Sequence, residues 1–242
     1  MNSCRINLLP ALWGFAAFGC AAGLVVSCGK NSGGDAKAIP KFEEVKPRAE
    51  AGDVQAQATL GDLYANGQGV TQNYTQAAKW YQMAAAKGNP AAETALGDLC
   101  EAGQGLRRDM KEAAKWYQQA AQQGYARAQY NLATLYTSGE GVALNVPEAL
   151  KWYGKAADQG DSLAQFNLGM RYLEGKGVAQ NPVEAWKWLS LAEANGVGDA
   201  TAAKRMAAGR MNSDQLRQAR DELEAFQKQA AAHSAAAEPA SK

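Results

Sequence analysis

Between residues 53 and 88 the apolar positions fall on two helical faces separated by a glycine turn. Ala56, Leu60, Leu63 and Tyr64 recur at i, i+4, i+7 and i+8, one face of a first helix. Gly67-Gln68-Gly69 stops that run. Ala77, Trp80, Tyr81 and Ala84 mark the apolar face of a second helix, and Gly88 is placed to end it. The layout returns without slippage every 36 residues: Trp80, Trp116, Trp152 and Trp188 each follow a lysine, with G-x-G thirteen residues upstream and a glycine eight downstream. Such a period means stacked copies of one helix–turn–helix unit. The copies span 53–88, 89–124, 125–160 and 161–196, within an array over 49–198.

Each second helix opens on a capping pair: Asn73 with Gln76, Asp109 with Glu112, Asn145 with Glu148, Asn181 with Glu184. Small residues share slots on the first helices, with Ala56, Ala92, Ala128 and Ala164 in one and Gly61, Gly97, Ala133 and Gly169 in another. A glycine inside a helix costs up to about 1 kcal/mol against alanine, so its recurrence predicts close backbone approach. The tryptophans, at core spacing, are expected to fill the space between layers, each indole N–H needing one acceptor. After Gly196 the pattern decays. Lys204 stands in a leucine slot, and Ser213 is read as the cap of a final helix with Leu216, Ala219, Leu223 and Phe226 on one stripe. Residues 199–228 therefore read as capping helices and 229–242 as a disordered tail containing His233, an exposed spectator.

Upstream of the array, residues 28–48 read as a tether, with Pro40 and Pro47 interrupting any helix. Phe42 and Val45 are isolated apolar residues able to pack on the first copy. Residues 48–52 align with the end of a repeat, as a truncated cap would. Residues 1–27 read as a signal peptide. Arg5 is the basic start, and 11–26 is a charge-free apolar run, short against the ~20 residues of a membrane span. Val25-Val26-Ser27-Cys28 resembles the lipobox of bacterial lipoproteins, which makes Cys28 the expected lipidation site. A poorer lipobox at Cys20, a plain cleaved signal and an uncleaved anchor are the alternatives. By the same resemblance, Gly29 after the cysteine implies the outer membrane.

Composition narrows the partners. Lys and Arg number 25 against 24 Asp and Glu, so no overall basic field argues for nucleic acid. Of the four cysteines only Cys100 lies in the repeats, in the slot of Tyr64, Tyr136 and Tyr172, and it reads as a small buried side chain.

The string Ala56-Gln57-(x)2-Leu60-Gly61-(x)2-Tyr64-(x)2-Gly67-(x)1-Gly69-Val70, then Ala77-(x)1-Lys79-Trp80-Tyr81 and Ala84-Ala85-(x)2-Gly88, resembles the Sel1-like repeat, a relative of the tetratricopeptide repeat. Glu93 for Gln57, Cys100 for Tyr64 and Leu189 for Tyr81 are local departures. The resemblance implies an all-α, right-handed α/α solenoid of four helix-turn-helix repeats with a C-terminal capping helix. Its first helices would line a groove for a protein or peptide partner. No cofactor, metal or enzymatic activity is implied.

Some relatives are described as binding or hydrolysing β-lactams, so a periplasmic or secreted protein acting on cell-wall or β-lactam compounds is the alternative reading. Ser27-Cys28-Gly29-Lys30 and Ser213-Asp214-Gln215 only approximate the required motifs, K-T-G is absent, and the paired cysteines of those relatives are missing. The face of the first helices turned from the core carries Thr59 and Asp62, Ala95 and Asp98, Asn131 and Thr134, Asn167 and Met170. This row grades from acidic to polar or apolar and suits a partner segment that is basic, then apolar; an ordinary solvated face is the equal alternative.

Overall fold

The N-caps of the second helices form as the sequence reads, but only half of each capping box closes. Asn73 Oδ1 accepts from the Gln76 amide at 3.0 Å, Asp109 from Glu112 at 3.1 Å, Asn145 from Glu148 at 3.1 Å and Asn181 from Glu184 at 3.2 Å. The cap residues' own N–H groups turn instead to the preceding helix. They donate to the carbonyls of Tyr64, Cys100, Tyr136 and Tyr172 at 2.8 to 3.0 Å. The glutamates are thereby released to pair with Lys115, Lys151 and Lys187 one turn on. Each turn is thus tied into the hairpin that contains it.

A computed structural model of the chain describes residues 41–237, with side chains to residue 232. Among them are eleven helices and no strand: α1 (Phe42–Glu50), α2 (Val54–Asn66), α3 (Tyr74–Ala85), α4 (Pro90–Ala102), α5 (Met110–Gln122), α6 (Ala126–Ser138), α7 (Val146–Asp158), α8 (Ser162–Glu174), α9 (Pro182–Ala194), α10 (Gly198–Ala208) and α11 (Ser213–Ala237). The hairpins α2–α3, α4–α5, α6–α7 and α8–α9 are the four repeats, and each packs on the next to form an α/α solenoid. The proposed signal peptide, Cys28 and most of the tether lie outside the described residues.

Residues 42–50 depart from the sequence reading. They form a helix with Pro47 inside it, although proline in a helix interior costs about 3 kcal/mol. Packing overrides that cost: Val45 and Ala49 are buried against Ala56, Leu60 and Leu63. The Ala49 carbonyl accepts from Gln57 Nε2 at 3.1 Å, as Ala121 does from Gln129 and Ala157 from Gln165. α1 therefore stands where the second helix of a preceding copy would stand, and residues 48–52 do cap the array.

The tryptophans are less central than expected. Tyr81, Tyr117 and Tyr153, each one residue further on, are almost fully buried, whereas Trp80 and Trp116 are only half-buried. Trp152 and Trp188 are the enclosed pair, and the Trp188 indole N–H donates to Glu184 at 2.9 Å. At this end Leu223 and Phe226 of α11 pack onto the cluster containing both tryptophans, and the Phe226 ring meets Trp188 edge-on at 5.4 Å.

α11 begins on a complete capping box. Asn212, not Ser213, is its cap: Asn212 Oδ1 accepts from the Gln215 amide at 2.9 Å, and Gln215 Oε1 accepts from the Asn212 amide at 3.0 Å. The predicted stripe faces the array, with Ala219 fully buried and Leu216, Leu223 and Phe226 half-buried. The helix runs on to Ala237, through part of the span expected to be disordered. Phe226→Ala should loosen this strap by about 1 kcal/mol from the lost ring pair alone. Amide exchange should then quicken in α11 and leave α2 to α7 unchanged; uniform quickening would mean α11 holds up the whole array.

Candidate functional site

The residues expected to form a free groove are largely occupied by the protein itself. Position 62 and its equivalents lie nineteen residues before the buried tyrosine of the same hairpin. The Tyr81 hydroxyl donates to Asp62 Oδ1 at 2.7 Å, and Tyr117 donates to Asp98 Oδ1 at 2.8 Å and to Glu101 Oε2 at 2.8 Å. The Tyr153 hydroxyl and Thr134 Oγ1 are 3.1 Å apart. In the fourth copy the tyrosine is Leu189 and its partner position is Met170, which packs against the apolar cluster containing Leu189. The acidic-to-apolar gradient therefore tracks what each tyrosine slot requires.

These contacts are possible because glycine faces the ring. A Cβ on Gly61 would lie 2.5 Å from Tyr81 ring carbons, and Gly97 stands in the same relation to Tyr117. In the third copy the slot is Ala133, and there the hydroxyl meets a neutral threonine rather than a carboxylate.

Asp98 is the best-connected member of the row. Arg127 Nη2 of the next copy donates to its Oδ2 at 2.6 Å and Asn131 Nδ2 to its Oδ1 at 3.1 Å. Asp98 and Asn131 are thus brought together across a repeat boundary. Thr59 instead donates to its own helix at Gln55 O, 2.8 Å away, and Asn167 to Leu163 O at 3.0 Å. Tyr81, Tyr117, Glu101 and Arg127 escape a reading of surface positions alone. For the two tyrosines the signal that could find them is the change to Met170 and Leu189, nineteen residues apart, in the fourth copy; Glu101 and Arg127 have no such signal.

Burial raises the carboxyl pKa of Asp62, against the Tyr81 hydrogen bond and the Arg127 charge. Burial likewise raises that of Asp98, opposed by Arg127, Tyr117 and Asn131 and assisted by Glu101. The hydroxyls of Tyr81 and Tyr117 are pushed far up by burial and by the adjoining carboxylates, so both tyrosines remain donors. A carboxyl group with a raised folded pKa favours folding while protonated, and that contribution is lost as pH rises through the folded value. Asp62→Asn removes this loss. Its stability relative to wild type should increase as pH is raised from about 3.8 to neutrality, read from melting temperatures across that range. A pH-independent difference would contradict the shift.

Cys100 is buried, and its thiol pKa is raised by burial and by the charges of Glu112 and Asp109, the opposite of an activated thiolate. Among the described residues no group of three or more His, Cys, Asp or Glu is arranged to hold a metal ion.

The family model described as Sel1 repeat matches residues 54–89, 90–125, 126–161 and 162–197. The chain belongs to the Sel1 repeat family. A Sel1 repeat protein from Oxalobacter formigenes, known from its crystal structure, is 32% identical over 76% of this chain and 77% of its own, with a TM-score of 0.65. The chain is also similar to c5321, a protective antigen present in uropathogenic Escherichia coli strains. That likeness has 24% identity, covers 83% of this chain and 60% of that one, and has a TM-score of 0.39. The immunity protein Pa5087 from Pseudomonas aeruginosa is 20% identical over 76% of this chain and 73% of its own, with a TM-score of 0.49. Among curated proteins none matches. Sel1-repeat proteins generally mediate protein–protein interaction, and the family consists mostly of non-enzymatic scaffolds.

Proposed function

We propose that this Sel1-repeat protein is a lipid-anchored scaffold of the bacterial cell envelope that holds a protein or peptide on its first-helix face. The observation carrying the binding reading is the continuity of that face. Asp62, Asp98, Arg127, Asn131, Leu163 and Met170 succeed one another on α2, α4, α6 and α8, each at least partly exposed. Charged groups gather at one end, while Leu163 at the other is 49% exposed. A segment that is basic and then apolar complements this order. The anchoring reading rests on the lipobox-like Val25-Val26-Ser27-Cys28. Several acyl chains on Cys28 would give stable attachment without a spanning helix, where one chain alone is marginal. Gly29 favours the outer membrane, with the array facing the periplasm.

Crosslinking in intact cells, followed by identification of the captured protein, tests the scaffold. Asp62→Lys should weaken that capture while leaving the circular-dichroism spectrum unchanged; undiminished capture would remove the acidic end from the binding surface. Asp98 is a poorer choice, because its substitution strands Tyr117, Arg127 and Asn131 together, whereas that of Asp62 strands Tyr81 alone. Palmitate labelling of wild type against Cys28→Ala tests the anchor, and equal labelling would exclude lipidation at that cysteine.

A further inference from the structure

The repeat register pairs each position of the Asp62 row with two positions on the first helix of the next copy. At the junction between the second and third copies, the Asp98 carboxylate receives Arg127, Asn131 and the Tyr117 hydroxyl. One copy earlier the same register sets Ala91 and Ala95 against Asp62, where Arg127 and Asn131 stand against Asp98. Asp62 keeps its tyrosine, with Tyr81 donating at 2.7 Å. A guanidinium and a carboxamide have been replaced by two methyl groups, both on partly exposed residues. What remains is an exposed carboxylate held by its tyrosine, with two alanines on the next copy's helix where the donors would stand.

We propose that this position is a socket for an arginine of the partner segment, seated beside Asp62 as Arg127 and Asn131 are seated beside Asp98. The inference rests on the first-helix face being the binding surface, and it names the chemistry recognised there. Arginine fits better than lysine. At Asp98 donors arrive from two side chains of the next copy at once, and a planar guanidinium with several fixed N–H groups can supply both from one residue, whereas an ammonium is a single point. Charge favours the same occupant. Asp62, Asp98 and Glu101 place three carboxylates around this end of the face, with Arg127 as their counter-charge and already bound to Asp98. The alanines add a low wall on which the flat guanidinium and its stem can lie.

The test uses the purified full chain in detergent, with N-acetyl-arginine amide as probe and N-acetyl-citrulline amide as its neutral counterpart. Amide resonances of Asp62, Ala91 and Ala95 should shift saturably with the arginine compound. The citrulline compound should bind about five-fold more weakly, the loss expected for one exposed charged pair. Asp62→Asn should abolish the response. So should Ala91→Arg/Ala95→Asn, which copies the residues of the filled junction into the open one. Equal responses to both compounds, responses that persist in either variant, or no response to arginine would each overturn the proposal.

Crosslinking in cells separates this from the broader reading. Undiminished partner capture by Ala91→Arg/Ala95→Asn would leave the groove standing and remove the socket. Saturable arginine binding without any captured partner would leave the socket and remove the scaffold.

Discussion

Gly141→Ala is expected to destabilise the array by about 3 kcal/mol, measured by urea unfolding. Gly141 is the second glycine of its G-x-G turn and sits at φ +72°. An L-residue in that region costs roughly 1–2 kcal/mol. Space adds a second cost, because a Cβ there would drive into the Met110 carbonyl and approach the Lys111 amide. Both are backbone atoms of the first turn of α5, so relief requires moving that helix, and forced overpacking typically costs about 1–3 kcal/mol. The clash lies at the junction of the second and third copies, and in a repeat array such a loss weakens coupling between the halves. Gly160→Ala is the matched control: it has φ +90° but open space around its Cβ. It should show the conformational cost alone, about 1–2 kcal/mol. Equal losses for the two variants would mean the turn's contact with α5 contributes nothing.

The second large effect is a gain. Lys87→Gln should stabilise the protein by about 2 kcal/mol, the cost of leaving a buried polar group unmade. In the later copies the residue thirty positions on supplies a donor to the buried side chain of the Gln57 slot. Gln123 donates to Glu93 at 2.7 Å, Gln159 to Gln129 at 2.8 Å and Asn195 to Gln165 at 3.0 Å. In the first copy that residue is Lys87, whose ammonium turns to the Gly52 carbonyl at 2.6 Å. Gln57 is 1% exposed, and its Oε1 is left without a hydrogen bond. A glutamine at 87 restores the pattern of the third copy and gives up one exposed hydrogen bond. Lys87→Met, which also loses that bond but adds no donor, should show no gain. A melting temperature for Lys87→Gln no higher than for Lys87→Met would refute the account.

The repeat number, the helix pairs, the start of each second helix and the αL glycine ends of the first helices were legible because they are set locally. A carboxamide or carboxylate two or three residues ahead of a free amide needs no distant partner. The 36-residue register then made four weak local signals into one strong one. Even the pairing of the two rows left a trace, with Met170 and Leu189 departing together in the fourth copy, although Thr134 replaces the aspartate opposite Tyr153 in the third.

What the sequence could not decide is which of two adjacent aromatics lies at the centre of a layer. That choice depends on the rotation of one helix against another, which buries the residue after the tryptophan in every copy, and in the first two copies its hydroxyl then reaches a carboxylate of the facing helix. Whether Pro47 breaks a helix was likewise a tertiary matter. Propensity opposes α1, and burial of Val45 and Ala49 on the first copy prevails. The first-helix face shows the same division. Its residues could be named from periodicity, but that Asp98 is filled and Asp62 is open follows from contacts across a repeat boundary. Periodicity assigns a residue to a face; only packing between copies determines whether that face is already occupied.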